Sequence, residues 1–324
     1  MTFYSACVLL VVFGGLLAAF DALLLVTSGP LLRRLNGVSS TRRPEAVLFA
    51  RFLPMALALA ATVCVFLPAW WMYEPAETGE AASAALVLAA AISLLPLALG
   101  GHRAMRIFLN TRDRVMGWRE RGRHAAINHT PFEVVEVSGH DVSLCVGGYL
   151  TPTIYASKEV LDTLDPEELH AAMAHETSHA ASRDPLRLLS MGACPDFLQM
   201  LGLDRPWRRA FSQACEFAAD ARASRGDRGV ALDLASALVK VARLNVAPLR
   251  AEAMDLAVSS AFHGRADLEA RVQALANPAA PSARLPFSPR LWFGVALVGL
   301  TVLGLSSAQR IHALTEMLGR ALAP

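Results

Sequence analysis

Four long runs of apolar residues divide the chain, and each predicts a helix that crosses a membrane. Residues 3–27, 52–73 and 81–101 carry one charge among them, Asp21, and residues 291–308 carry none. A helix needs about 20 apolar residues to cross roughly 30 Å of hydrocarbon, so the fourth run is at the short end of that range. The first run lacks a preceding basic segment and is too long for a signal peptide, so we expect a retained span. Asp21 lies near one end of its span, which favours a side chain that reaches the membrane surface.

Charge in the connecting segments predicts the orientation of these spans. The segment 29–51 carries five arginines against one acid, the segment between the second and third spans carries only acids, and the segment after the third span is again rich in arginine. Basic segments stay on the cytoplasmic side of a membrane. The N-terminus is therefore expected outside the cytoplasm. The pattern predicts three transmembrane helices in 1–101, a cytoplasmic domain in 102–289, a fourth transmembrane helix in 290–308 and a short extracytoplasmic tail in 309–324.

Composition agrees with a protein of the lipid bilayer and disfavours several other classes. Of the 324 residues, 54% are hydrophobic and only 18% are charged, whereas soluble domains are nearer a quarter charged. The formal net charge of +2 is too small for a phosphate-binding surface, so we expect no direct nucleic-acid binding. The five cysteines have no paired spacing, which argues against a disulfide scaffold.

Between the third and fourth runs the pattern changes to that of an α+β domain. Short β-type runs at 132–137, 142–146 and 152–156 are separated by turn residues, mainly glycine, and the residues that follow have helical spacing. The segment is long enough for one domain with its own core. The sequence therefore predicts a membrane α-helical part with four spans joined to a single cytoplasmic α+β domain.

The chemistry of this domain is concentrated in one helical segment. Asp165, followed by proline, is a good N-cap and predicts a helix over about 166–182. His175 and His179 are four residues apart and share a face of that helix, where two imidazoles can hold one metal ion. Glu176 lies beside the first histidine, within reach of a water that the metal activates. This H-E-x-x-H arrangement is typical of zinc sites with a carboxylate general base.

A catalytic zinc site needs a third protein ligand and one open position. Glu216 lies on a second predicted helix, and Asp220 follows it one turn later on the same face. With Glu216 as the ligand, Asp220 would orient a ligating imidazole through its other ring nitrogen. Spacing alone is equally compatible with a pair of solvated carboxylates. Cys215, His170 and Cys194 are weaker alternatives for the third ligand.

Several short segments in order form a recognisable pattern. They are Pro-Thr-Ile-Tyr (152–155), Leu-Asp-Pro-Glu-Glu-Leu (164–169), Ala-His-Glu-Thr-Ser-His (174–179), Ser-Arg-Asp-Pro-Leu (182–186) and Glu-Phe-Ala-Ala-Asp (216–220). This pattern resembles the BlaR/MecR antirepressor family of membrane zinc peptidases, and HtpX-type and prenyl-protein peptidases share a similar pair of motifs. The resemblance is close over about residues 130–225 and covers the spans only in number and placement.

The resemblance implies a gluzincin-like, or zincin-like, fold with a small sheet beside two metal-bearing helices. It implies peptide hydrolysis with one catalytic Zn²⁺, whose ligands would be His175, His179 and Glu216. Glu176 would act as the general base that activates water.

The resemblance also suggests roles for residues around the metal. Asp184 is interpreted as a member of a structural ion pair or as a support for a ligating side chain. The substrate is expected to lie as an added strand along a sheet edge that contains Thr153, Ile154 and Tyr155.

These features predict a multi-pass zinc metalloendopeptidase of the inner membrane that cleaves a cytosolic, regulatory protein, for example a transcriptional repressor. One alternative is an HtpX-like quality-control protease, and another is a non-catalytic sensor or scaffold, which the intact Glu176 disfavours. Antibiotic-sensing relatives carry a large extracellular sensor after the last span. The short tail at 309–324 predicts no direct β-lactam sensing through such a domain.

Overall fold

The computed structural model describes residues 2–73, 82–127, 130–138, 142–244, 259–260, 265–277, 294, 298–299, 301–302, 304 and 306–321. Its helices are α1 (Phe3–Leu35), α2 (Arg43–Ala61), α3 (Leu67–Tyr73), α4 (Ala84–Arg121), α5 (Lys158–Thr163), α6 (Pro166–Ser182), α7 (Asp184–Ala193), α8 (Phe197–Met200), α9 (Arg205–Ser224), α10 (Arg228–Arg243), α11 (Arg265–Ala276) and α12 (Ala308–Ala321). A π-helical segment, Thr62–Phe66, joins α2 to α3. The strands are β1 (Gly122–His124), β2 (Val134–Val137), β3 (Leu144–Gly147), β4 (Thr153–Ser157) and β5 (Ser259–Ser260).

Among the described residues, three helices are long and apolar enough to cross a membrane: Phe3–Leu35, Arg43–Tyr73 and Ala84–Arg121. Each continues beyond its apolar run at the end that carries arginines, because an α-helix satisfies its own backbone hydrogen bonds and need not end where the hydrocarbon ends. The predicted fourth span, 290–308, lies largely outside the described residues. Within the predicted tail, α12 packs against α3.

Two charged residues near the arginine-rich ends of the spans are buried instead of solvated. Arg51, which the sequence suggests is part of a basic loop, lies in α2 and forms an ion pair with Asp196. The prediction that Asp21 reaches the membrane surface is wrong. Asp21 is 1% exposed, and its Oδ2 accepts a hydrogen bond from the backbone N–H of Phe197 at 2.8 Å. Through these contacts, α1 binds the start of α8, and α2 binds the segment just before it.

Within the described part of the chain, five strands form one sheet in the order β1-β2-β4-β3-β5. Strand β4 pairs in parallel with β2 and antiparallel with β3, so both of its edges are occupied. The expected free edge at Thr153, Ile154 and Tyr155 is therefore wrong. All three residues are buried, and the ring of Tyr155 packs on Trp118 with 5.2 Å between centroids. The reason is the order of the strands: β3 turns back into β4, and β4 lies between β3 and the earlier strand β2.

Helix α6 lies at the centre of the domain, between the sheet and helices α9 and α10. Aliphatic side chains from the sheet, α6 and α10 form one buried cluster, which includes Val134, Leu144, Val146, Ile154, Met173, Ala237 and Val241. Helix α9 packs in turn against α2, through a second cluster that includes Leu24, Val47, Trp207, Phe211 and Cys215. The helices that carry the predicted ligands are thus held between the sheet and the spans.

Candidate metal centre

Local signals at both ends of α6 set the position of its histidines. At its start, the backbone N–H of Asp165 donates to Glu168 Oε2 at 3.0 Å, which satisfies a group that the helix itself leaves unpaired. At its end, Arg183 adopts a left-handed conformation with φ 52°. This sharp turn starts α7 at once and brings the carboxylate of Asp184 back to His179, with 2.6 Å between Oδ2 and Nδ1.

Three predicted ligands converge between α6 and α9. The Nε2 atoms of His175 and His179 are 3.1 Å apart. Glu216 places Oε2 3.5 Å from the Nε2 of His175 and Oε1 3.7 Å from the Nε2 of His179. All three residues are buried, and among the described residues they form the one group of this kind that can hold a metal ion. Ligands about 2.0–2.2 Å from one zinc ion in tetrahedral geometry are themselves separated by roughly 3.3 Å, so the observed spacing fits zinc.

Carboxylates occupy the other ring nitrogen of each histidine. Asp220 Oδ1 lies 2.9 Å from His175 Nδ1, and Asp184 makes the contact with His179 Nδ1 given above. A carboxylate on Nδ1 fixes the tautomer and turns Nε2 toward the metal position. The structure therefore brings Asp220 and Asp184 to the places that a supporting role requires.

Glu176 is buried beside the ligands with an unsatisfied carboxyl group. It is 0% exposed, and neither carboxyl oxygen has a hydrogen-bond partner among the described residues. Burial raises its pKa. Buried polar atoms are nearly always paired with protein, water or an ion, so these two oxygens fit a site that holds a cation and a water molecule.

Electrostatics keeps the carboxylate of the ligand Glu216 ionised. Burial alone would raise the pKa of Glu216, but the positive charges of Arg271 and His179 hold it well below its usual range. Burial likewise disfavours charged His175 and His179, yet their carboxylate partners outweigh burial and raise both pKa values. Because zinc binds neutral imidazole, zinc and protons compete for these nitrogens.

An apolar cavity adjoins Glu176. It has a volume of about 10 Å³, room for about one water molecule. It borders β3, α6 and α10, and its lining comprises Leu144, Ala172, His175, Glu176, Leu234, Ala237, Leu238 and Val241. Apart from His175 and Glu176, the side chains next to this cavity are apolar.

The alternative ligands lie elsewhere. Cys215 packs among apolar side chains that face α1 and α2, His170 is exposed, and the Sγ of Cys194 donates to the backbone carbonyl of Arg51 at 3.7 Å. One residue that sequence reasoning missed is Arg271, which is 2% exposed and contacts the carboxylates of α9. It lies 51 residues from Asp220 in sequence, and no local motif marks it.

The model of peptidase family M48 matches residues 113–279, a range that includes both histidines, the three nearby carboxylates of α6 and α9, and Arg271. The match does not separate a BlaR/MecR-type subfamily from other members. No curated protein matches the chain. Because the matched range covers more than half of the chain, and its α+β domain holds a buried triad fit for a metal beside helices able to cross a membrane, the chain belongs to peptidase family M48, a family of membrane-associated metallopeptidases that are metal-dependent and usually use zinc.

Proposed function

We propose that this protein is an integral membrane zinc endopeptidase that hydrolyses peptide bonds of a cytosolic regulatory protein. One observation carries the proposal: His175, His179 and Glu216 converge within ligand distance of one another, beside the buried, unpaired carboxyl group of Glu176. Three protein ligands leave a fourth zinc position open for water, whereas structural zinc sites use four protein ligands. The base next to the triad supports hydrolysis.

In the proposed reaction, residues of α6 and α9 bind the metal, and Glu176 of α6 transfers the proton. When bound, zinc supplies a Lewis acid that activates a water molecule and polarises the scissile carbonyl. Glu176 accepts the proton of the attacking water and then donates it to the departing amine. Burial raises the pKa of Glu176, which suits a carboxylate that must take up and release a proton near neutral pH. The carboxylates of Asp220 and Asp184 lie 2.9 and 2.6 Å from the Nδ1 atoms of the two histidines, an arrangement that leaves each Nε2 to face the metal.

The apolar cavity supports a preference for an apolar side chain next to the scissile bond. Its wall includes Leu234 and Leu238 of α10, which suit an aliphatic side chain once the cavity has opened. Because Glu176 is fully buried, the cavity between α10 and β3 must widen before a peptide chain can enter.

The arginines of segment 29–51 and of the end of α4 support a cytoplasmic location for the site, with the spans in the inner membrane. A cytoplasmic site has access to cytosolic proteins such as a transcriptional repressor, the substrate class that the BlaR/MecR resemblance implies. Reporter fusions at 29–51 and within α10 test this orientation, since both must report the cytoplasmic side.

Hydrolysis of casein by the detergent-solubilised full chain tests the enzymatic part of the proposal. Glu176→Gln removes the base while keeping the size and shape of the side chain, and we expect a loss of activity of about 10²–10⁴-fold. Glu167→Gln, an exposed glutamate of the same helix, is the matched control and retains activity. Hydrolysis by Glu176→Gln at the wild-type rate would overturn the proposal, and zinc binding without hydrolysis in the wild type would favour a non-catalytic scaffold.

A further inference from the structure

Arg271 is a buried cation on a helix that contributes none of the ligands or bases discussed so far. It lies on α11, which packs against α9 and α10, and its side chain is 3% exposed. Burial of an arginine is costly unless its charge and its N–H groups are all engaged. The contacts of its guanidinium group therefore indicate what the residue does.

The guanidinium group binds both carboxylates of α9 at once. Nε and Nη2 donate to Asp220 Oδ2 and Oδ1 at 2.8 and 2.7 Å, which is a bidentate pair. Nη1 lies 2.9 Å from Glu216 Oε2. Glu216 and Asp220 are one turn apart on one face of α9, and the planar fork of an arginine spans that distance, whereas the single ammonium group of a lysine does not.

These contacts reach two of the three proposed ligands. Asp220 Oδ1, which accepts from Arg271, is the same atom that lies 2.9 Å from His175 Nδ1, so a fixed Asp220 fixes the ring of His175. Arg271 engages Oε2 of Glu216, and Oε1 remains directed at His179 Nε2. A carboxylate with one oxygen engaged binds a metal through the other, which keeps a coordination position free for water and substrate.

We propose that Arg271 is a positioning residue of the metal centre: it locks Glu216 into one-oxygen ligation and, through Asp220, orients His175. The inference rests on the proposed zinc site and deepens it, since it makes α11 a part of that site. The competing interpretation is that Arg271 occupies the metal position, because its Nη2 also lies 3.5 Å from His175 Nε2. The two interpretations predict opposite changes in zinc affinity when Arg271 is replaced.

The test compares Arg271→Gln and Arg271→Lys with the wild-type full chain in detergent. Zinc affinity is measured by competition with a chromophoric chelator, and coordination is measured by the visible d–d spectrum of Co²⁺-substituted protein. Loss of a group that supports metal ligands typically costs 10–100-fold in affinity, so we expect that loss in Arg271→Gln. Arg271→Lys keeps the charge but not the fork, and we expect it to recover affinity only in part and to keep an altered Co²⁺ spectrum.

Arg222→Gln is the matched control. Arg222 links α9 to α6 and to the segment before α2, since it donates to Ser182 Oγ at 2.8 Å and to the Thr41 carbonyl at 3.0 Å. Neither of these hydrogen bonds involves Glu216 or Asp220. Its loss weakens packing of α9 without touching the metal centre, so the Co²⁺ spectrum must stay that of the wild type.

Each other outcome overturns the positioning role. Wild-type affinity and spectrum in both Arg271 variants would show that the fork is dispensable, and wild-type behaviour in Arg271→Lys alone would show that only charge matters. Tighter zinc binding would show that Arg271 competes with the metal, and failure of both variants to fold would assign Arg271 to the fold. Failure of the wild type to bind zinc would refute the proposed function instead, and is seen before any variant is compared.

Discussion

Asp184 offers a quantitative test of how the protein holds His179. Its Oδ2 lies 2.6 Å from Nδ1, and both side chains are at most 2% exposed. Asp184→Ala would leave a buried N–H without a partner, which costs about 1–3 kcal/mol, and would release the tautomer that presents Nε2. Loss of such a partner typically lowers metal affinity 10–100-fold, which corresponds to about 1.4–2.7 kcal/mol. The first magnitude is a loss in the free energy of unfolding, and the second is a loss in the free energy of zinc binding, which the assay measures.

The assay is zinc competition against a chromophoric chelator at fixed pH. Asp184→Asn keeps an acceptor oxygen and loses the charge, so we expect about a tenfold loss, smaller than that of Asp184→Ala. Asp162→Ala, an exposed aspartate of α5, is the control and should bind zinc as the wild type does. An affinity of Asp184→Ala within twofold of the wild type would refute the argument that this carboxylate orients His179.

Two further predictions concern stability away from the metal. Burial alone would raise the pKa of Glu168. Hydrogen bonds from Lys240, from Ser236 and from the backbone N–H of Asp165 outweigh burial and hold this pKa below its ordinary value. A lowered folded-state pKa contributes stability above the unfolded pKa of about 4.3 and loses it as pH falls, so Glu168→Gln should lower the free energy of unfolding by about 1–2 kcal/mol at pH 7. Thermal unfolding should show this difference shrinking below about pH 4, and a pH-independent difference would contradict it. Arg51→Gln should leave Asp196 buried and unpaired, at a cost of about 3–5 kcal/mol, and adding Asp196→Asn should recover most of it. Thermal unfolding in detergent measures both variants, and a double variant no more stable than the single one would contradict the buried ion pair.

The parts of the site that follow from local sequence were predictable. The start of α6 follows from Asp165 and the proline after it, and the shared face of His175 and His179 follows from helical spacing alone. The pairing of Glu216 with those histidines needed the resemblance, because spacing alone is equally compatible with a solvated carboxylate pair. The structure then brings all three side chains together.

The parts that depend on distant pairing were missed. Arg271 contacts Asp220 and His175, which lie 51 and 96 residues away in the sequence. The sequence around an arginine in a helix does not indicate which distant residue it will contact. The burial of Arg51 was missed for the same reason, because it depends on an ion pair with Asp196, which is distant in the sequence. Strand β4 was expected at an edge because its sequence specifies a strand and not its neighbours, and the order of strands is set by a crossover that periodicity does not encode.

Zinc stoichiometry tests the central claim most directly. The full chain, purified without chelator and analysed by atomic emission, should carry about one zinc ion per chain, as should Glu176→Gln, because the base is not a ligand. His175→Ala and Glu216→Ala should each lose most of that zinc while Glu167→Gln keeps it. Zinc at the wild-type level in the ligand variants, or no zinc in the wild type, would contradict the account.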